Sequence, residues 1–506
     1  MNVGSLITHH AQYRPSHLAV VVEDVRLSFF ELNQRVNRLA NGFIALGIGK
    51  GDKIATLLGN CLELMEVYWA AAKIGAVTVP LSPLLRGRGL VTLINDSDTK
   101  IIVTSPSQKA EIEAIRGDLP GIVNGGLILI GAESEPPYTA YHSWVNTFST
   151  DEPPLVDIED SDPFNIVYSS GTTGLPKGIV LTHYVRAAYG AQFSTAFRIL
   201  PESVILHTGA LVFNGAFLTF MPHMFLGATY ILHKQFDVTS LIETIFRERV
   251  THIMMVPSQI VALLNSPQYD PAKLSSLQMI GSVGAPLMHR FKEQMNHDLP
   301  GRFYELYGLT EGFMTILDPT HPVSKLDSVG VPPVLMDLKI VDDSGVPVGP
   351  GQVGEIVGRG PMLMAGYYKR SDLTAQAVRD GWLFSGDLGY VDEDGFLYLV
   401  DRKKDMIISG GVNVYPRDIE EVAVQHPAVK EVAVYGVPSD KWGETPVAAV
   451  TLKSPDLVTA DQLKDWINER VEARYQRVSA VRIVDDFPRS AAGKTLKRLL
   501  RDSEPN

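Results

Sequence analysis

What constrains this chain most is an alternation: up to about residue 353, short apolar runs of strand length keep following segments with helical periodicity. Leu32, Val36, Leu39 and Phe43 recur at helical spacing over 28–47, and Gly47 stops the pattern. Residues 53–58 then read as a strand, 62–74 as a helix closed by Gly75, and 76–80 as another strand. Further buried strands are expected at 165–168, 204–208, 252–256 and 279–283. Strands separated by helices cannot pair through tight hairpins, so the crossovers favour parallel neighbours. The expected fold is therefore a layered α/β architecture with largely parallel sheets.

Past Val353 the rhythm shortens to small β pieces with turns such as Asp394-Gly395. A compact charge run, Asp401-Arg402-Lys403-Lys404-Asp405, follows. Roughly one hundred residues of smaller α+β pattern come after it, a size that suits one small domain. Helices are expected there at 418–426 and 460–473, and strands at 429–437, 447–452 and 481–484. The domain boundary is placed in the charge run, giving domains 1–402 and 403–506. Residues 149–154 read as a surface loop, and no repeat of 20–50 residues is visible.

The 506 residues exceed one ordinary core. With 45 basic and 57 acidic side chains the formal charge is −12, which argues against a nucleic-acid or anionic-membrane surface. Cys61 is the single cysteine, so no intrachain disulfide forms. A reducing, cytoplasmic setting is expected, with Cys61 as a buried apolar thiol. Residues 1–19 lack a signal-peptide layout. The most apolar stretch, 211–232, is broken by Asn214, Pro222 and His223, so no membrane span is expected.

The sharpest local signal is Tyr168-Ser-Ser-Gly-Thr-Thr-Gly-Leu-Pro-Lys-Gly178. Seven of its eleven residues are Ser, Thr or Gly, and it follows a buried strand. Glycines let the backbone approach a ligand, hydroxyls and N–H groups wrap oxyanions, and Lys177 adds charge. The spacing is not that of the ordinary P-loop. Composition alone leaves a phosphate cradle and a plain surface loop both open.

This segment resembles the phosphate loop of the adenylate-forming superfamily: acyl- and aryl-CoA synthetases, peptide-synthetase adenylation domains and luciferases. Four further segments resemble that family's motifs, in its order and over almost the whole chain. They are Tyr307-Gly-Leu-Thr-Glu311, the pair Gly366-Tyr-Tyr-Lys369 and Gly381-Trp-Leu-Phe-Ser-Gly-Asp387, the run 401–416, and Pro488-Arg-Ser-Ala-Ala-Gly-Lys494. The resemblance implies a large layered N-terminal domain with mostly parallel sheets plus a distorted β-barrel, and a small mobile α+β C-terminal domain. It implies ATP, Mg²⁺ and CoA as reactants or cofactors and a small carboxylic acid as substrate.

Residue roles follow from the same resemblance. Ser169, Ser170, Gly171, Thr172, Thr173, Gly174 and Lys177 would hold the ATP phosphates. Gly284, Ala285, Pro286, Tyr307 and Gly308 would also bind the nucleotide, with Tyr307 offering an aromatic face to adenine. Thr310 would bond the α-phosphate, and Glu311 would be a hard oxygen ligand for Mg²⁺. Asp387 and Arg402 would hold the ribose, and Asn413 the nucleotide. Lys494 would bridge the carboxylate and α-phosphate as charge concentrates there. Lys404 corresponds to a hinge, and Ser409, Gly410 and Gly411 to a channel for the thiol.

One position departs from the family pattern. Many members place a histidine beside the substrate carboxylate, where this chain has Asn214. An amide bonds a carboxylate but carries no charge. His207, Phe213, Asn214, Phe217, Gly284, Leu306 and Gly308 are expected to line the acyl pocket, and the mixture of Phe, His and Asn beside glycines favours an aromatic or compact acid over a very long chain. His207 reads equally as a polar pocket residue or a satisfied core histidine. Three functions stay in view: a CoA ligase, an adenylating enzyme that serves an amine or a carrier protein, and a catalytically silent nucleotide-binding protein. A homodimer stays open as well.

Overall fold

The computed structural model describes residues 2–503 except 132, 134, 170–176, 410–411, 440–441, 455–456, 472 and 490–494, together with the side chain of Ser169. The chain divides into two compact units, Met1–Leu338 with Gly358–Leu383, and Lys339–Val357 with Phe384–Asn506. The domain boundary expected at 402/403 falls within the second of these units, which also takes in 339–357 and 384–402.

The first unit holds two eight-stranded sheets. One runs Met314–Leu317, Phe303–Gly308, Met279–Val283, His252–Met255, Val204–His207, Thr229–Leu232, Leu18–Val22, Val25–Ser28. Its inner strands are parallel, and only its two end pairs are antiparallel. The other runs Gly366–Tyr367, Lys177–Thr182, Pro163–Ser169, Val77–Leu81, Lys53–Leu57, Thr99–Thr104, Leu127–Leu129, Thr139–Ala140. It too is parallel except at the Pro163–Ser169 end.

One continuous apolar core joins the facing sides of these sheets through the helices between them. The helix Leu62–Ile74 is the clearest member: every residue but Glu63 is buried. A helix that is apolar all round belongs in the middle of a layered protein. Gly75, at φ +71°, closes it in the left-handed conformation. The helix Phe29–Ala45 is amphipathic and starts on a capping box, in which Ser28 and Glu31 bond each other's backbone N–H groups. Outer helices cover the far faces: Val238–Glu248, Pro257–Leu264 and His289–Asp298 on one sheet, Gly87–Asp96 and Lys109–Ile115 on the other. The first unit is thus a five-layer αβαβα stack. Cys61 is half-buried, and burial pushes its thiol pKa up.

The second unit contains two β assemblies. In the region expected to form a distorted barrel, Asp337–Val341, Gly354–Arg359 and Trp382–Val391 follow one another in a sheet. Leu397–Arg402 pairs antiparallel with the last of these. The other sheet runs Val412–Val414, Ile407–Ser409, Gly443–Leu452, Val429–Ser439, with Ala480–Ile483 parallel to Gly443–Leu452. Helices Pro416–Ala423 and Ala460–Asn468 pack on one face, and Lys497–Asp502 on the other. This is the α+β pattern read from the sequence. Among the described residues no helix is long and apolar enough to cross a membrane.

Candidate active site

Parallel sheets collect ligands at the carboxyl ends of their strands, where loops and helix starts face a common crevice. In the first sheet those ends carry His207, Gly284 and Gly308. Gly284, at φ +94°, leads into the exposed Ala285 and Pro286. The half-buried Tyr307 lies one residue before the end of Phe303–Gly308, with its ring edge-on to Phe313 at 6.3 Å. In the second sheet, Pro163–Ser169 ends at the segment 170–176, which lies outside the described residues. Ser170, Gly171, Thr172, Thr173 and Gly174 therefore carry no structural statement. Lys177 opens the returning strand.

Thr310 and Glu311 occupy the tip of a hairpin between Phe303–Gly308 and Met314–Leu317. Leu309 N–H bonds Phe313 O at 3.0 Å, and Gly312 N–H bonds Leu309 O at 3.1 Å. Gly312 is at φ +115°, and a Cβ there would fall 1.9 Å from Met362 O. Only glycine fits this close backbone approach. The Met364 amide also bonds Glu311 O at 2.8 Å. The tip is thus held by backbone on two sides.

Tyr367 stands between the Glu311 carboxylate and Lys177. Its hydroxyl donates to Glu311 Oε1 at 2.9 Å, and Lys177 Nζ lies 5.0 Å from the centroid of its ring. Burial and the neighbouring Glu311 charge push the phenol pKa up, so it stays a donor. Among the described residues no hydrogen bond occupies the other carboxylate oxygen, which is left for a further partner. Among the described residues no cluster of three or more His, Cys, Asp or Glu forms a metal cage. A single carboxylate suits Mg²⁺, which takes one or two protein carboxylates and completes its shell with phosphate oxygens and water.

On the acyl side, His207 is buried and neither ring nitrogen completes a hydrogen bond among the described residues. Burial pulls its pKa down to about 4, the nearby Gly209 backbone offsetting part of this. The ring stacks on Tyr230 at 6.0 Å. It is a neutral imidazole, not a cation. Phe213 and Asn214 are half-buried, and Leu306 is buried beside Val283 in register. Phe217 is fully buried in the core between the sheets. Asn214 is engaged at both ends of its amide. Its Oδ1 accepts from Arg186 Nη1 at 3.0 Å, and its Nδ2 donates to Tyr189 Oη at 3.0 Å. Arg186 and Tyr189 are absent from the sequence reading. Their signal is a lone arginine in the small-residue stretch 186–191 of a buried helix, with Tyr189 three residues on.

In the second unit, Asp387 and Arg402 face each other across neighbouring strands, Arg402 Nε 3.4 Å from Asp387 Oδ1. Asp387 N–H bonds Ser385 Oγ at 3.0 Å, and Ser385 Oγ donates to Ile356 O at 2.6 Å. Lys404 is exposed, beside Lys403, which is held by Asp343 at 2.8 Å and Glu355 at 3.2 Å. Ser409 is buried, whereas Asn413 is exposed on Val412–Val414. Gly410, Gly411 and Lys494 lie outside the described residues.

A family model described as AMP-binding enzyme matches residues 7–368, and one described as AMP-binding enzyme C-terminal domain matches 418–494. The chain belongs to the AMP-binding enzyme family. It is 34% identical over 507 residues to a feruloyl-CoA synthase of Amycolatopsis sp, covering 99% of this chain and 98% of the relative. It is 32% identical over 510 residues to a long-chain-fatty-acid–CoA ligase of Mycobacterium tuberculosis, covering 99% and 98%. The crystal structure of ATP-bound MatB from Rhodopseudomonas palustris matches with a TM-score of 0.90 at 28% identity, covering 99% of each chain. In this AMP-binding enzyme, the hairpin tip, Tyr367 and Lys177 share the first unit, and Asp387 with Arg402 forms a separate pair in the second.

Proposed function

We propose that the chain is an AMP-forming carboxylate–CoA ligase. The observation that carries this reading is Tyr367, which holds the Glu311 carboxylate and stands beside the Lys177 ammonium. A carboxylate for a cation and a lysine for phosphate oxygens are what a triphosphate needs, and the tyrosine fixes the first and borders the second. Mg²⁺ bound at Glu311 would neutralise phosphate charge. Lys177 and the Ser/Thr/Gly segment hold the β- and γ-phosphates, Thr310 orients the α-phosphate, and Tyr307 borders the adenine. Asp387, with Arg402 beside it, accepts the ribose hydroxyls.

In the first step a carboxylate oxygen attacks the α-phosphorus and pyrophosphate leaves. Lys494 screens the charge that develops. In the second step a thiol sulfur attacks the acyl carbon, the thiol proton is released, and AMP leaves. The mixed anhydride is needed because a carboxylate oxygen is a poor leaving group and AMP a good one. Lys404 acts as the pivot that brings Lys494 and then Ser409–Gly411 into use. The half-buried Phe213 and Asn214 and the neutral His207 favour an aromatic or compact to medium-chain acid. A cytoplasmic setting is supported by the single free thiol.

The test is a panel of ferulate, 2-succinylbenzoate, phenylacetate, octanoate and palmitate with ATP, with and without CoA. Acid-dependent pyrophosphate release and a product of acyl-CoA mass are expected. Pyrophosphate without thioester in the presence of CoA would redirect the acceptor to an amine or a carrier protein. No release with any acid would leave a silent nucleotide-binding protein.

A further inference from the structure

Among the described residues, the core of the first unit holds a cation with no carboxylate beside it. Arg186, on the helix His183–Ala196, has no solvent exposure. Its Nε and Nη2 donate to Asn165 Oδ1 at 3.1 and 3.0 Å, and its Nη1 to Asn214 Oδ1 at 3.0 Å. Its guanidinium carbon lies 3.9 Å from the centroid of Phe217 and 4.9 Å from that of Tyr189. Among the described residues no carboxylate pairs with it. Burial pulls its pKa down to about 10, which still leaves it charged at neutral pH.

This arrangement does little for the fold. A buried charge balanced only by amide dipoles and ring faces carries an unrecovered desolvation cost. The Nδ2 of the fully buried Asn165 has no partner among the described residues, so the polar cluster is unfinished. An apolar side chain of the same length would keep the packing on Phe217 and remove the charge, while leaving the Asn165 and Asn214 carbonyl oxygens without this donor.

The cluster leads outward in one direction. Asn165 is fully buried, whereas Asn214 is half-buried beside Phe213. The Asn214 amide has a single tenable orientation, because a flip would set its NH₂ against the guanidinium. Its Oδ1 takes the Arg186 bond and one Nδ2 hydrogen goes to Tyr189, leaving one N–H to give. Electron density drawn toward the guanidinium makes that N–H a stronger donor. Tyr189 in turn feels the charge of Glu311 at the hairpin tip.

We propose that Arg186 is a positioning residue for the acid substrate, orienting and polarising the Asn214 amide so that its free Nδ2 hydrogen is donated to the carboxylate awaiting activation. The proposal rests on the acyl-pocket reading given above. The guanidinium would act through the Asn214 amide, from a side chain that never touches the substrate.

The test uses steady-state pyrophosphate release with ATP, CoA and whichever acid of the panel the wild type uses fastest. Arg186→Met should raise KM for the acid by about 10–100-fold, the scale of a hydrogen bond to a charged group. KM for ATP should stay within about twofold, and Tm should change little, because loss of the bonds to Asn165 and Asn214 offsets removal of the buried charge. Arg186→Lys, which keeps a cation and a donor, should recover most of the acid KM. Asn214→Ala should raise acid KM to a similar degree, and the double variant should be no worse than either single one. A folded Arg186→Met with unchanged acid KM overturns the proposal. So does a fall in Tm with equal effects on acid and ATP, which marks the guanidinium as structural. Should Arg186→Met not fold, Asn214→Ala decides: an unchanged acid KM overturns the proposal, because Arg186 reaches substrate only through that amide, and a raised one upholds it. Wild-type protein that releases no pyrophosphate with any acid fails the parent reading first, and the inference with it.

Discussion

Tyr367 and Glu311 are 56 residues apart in the chain and joined by one hydrogen bond of 2.9 Å, phenol to carboxylate. The bond leaves one carboxylate oxygen uncommitted and fixes where it points. Tyr367→Phe keeps the ring beside Lys177 and removes only that bond. A hydrogen bond to a charged group contributes about 1.5–3 kcal/mol, so kcat/KM for ATP should fall about 10–100-fold. The Mg²⁺ concentration giving half-maximal rate should rise with it. Unchanged ATP kinetics in a folded variant would remove Glu311 from the nucleotide site.

Asp387→Ala should weaken nucleotide binding while leaving the fold intact. Ser385 anchors the turn through its own hydroxyl, independently of the Asp387 carboxylate. Losing charge-assisted bonds to ribose hydroxyls should cost about 1.5–3 kcal/mol. AMP titration calorimetry and a melting curve on the same preparation check this. A large fall in Tm with unchanged AMP affinity would make Asp387 a turn residue only.

Lys494→Ala should separate the two half-reactions. Loss of one preorganised charge-stabilising donor cuts adenylate formation by roughly 10²–10³. Chemically supplied acyl-adenylate with CoA should still be converted to thioester. Near-normal adenylation in single turnover would sink the assigned role.

Stability should fall on mild acidification. Burial pulls the pKa values of His183, His207 and His252 down to about 4 and that of His223 to about 3. Unfolding returns each to an ordinary value of about 6.5. Between these limits the unfolded chain binds more protons, so the stabilisation is complete above about pH 6.5 and is lost as pH falls toward 4. Tm should therefore drop between about pH 7.5 and 5.5, with proton uptake on unfolding measurable in buffers of different ionisation enthalpy. A flat Tm over that range would show these imidazoles to be solvated or paired.

The segments proposed for the nucleotide stand out in the sequence because each is short and contiguous. Tyr307 to Glu311 and Gly381 to Asp387 are picked out by their resemblance to family motifs, whereas the hairpin tip at Thr310 and Glu311 comes from the structure. The acyl side is less legible. Asn214 stands out by its place in the chain, yet its partner Arg186 is 28 residues away on another helix. Only the packing of His183–Ala196 against Phe217–Leu226 brings them together. Tyr367 belongs to a recognised segment, but periodicity carries no record of its bond to Glu311. Element ends shift for similar reasons. The strand expected at 447–452 starts at Gly443, because its partner Val429–Ser439 continues alongside it. The helix expected over 460–473 stops at Asn468, whose side chain bonds Val478.

The pairing of Leu18–Val22 with Thr229–Leu232 sets a timetable for the ribosome. The hairpin of Leu18–Val22 and Val25–Ser28 is made well before its parallel neighbour, which is translated about two hundred residues later. At about 5–20 residues per second the apolar strand waits roughly 10–40 s with one edge open. During that wait the helix Leu62–Ile74 has only one of its two covering sheets available to it. The nascent chain should therefore be a chaperone client until residue 232 has left the exit tunnel, and translation slowed before that point should raise its losses to aggregation.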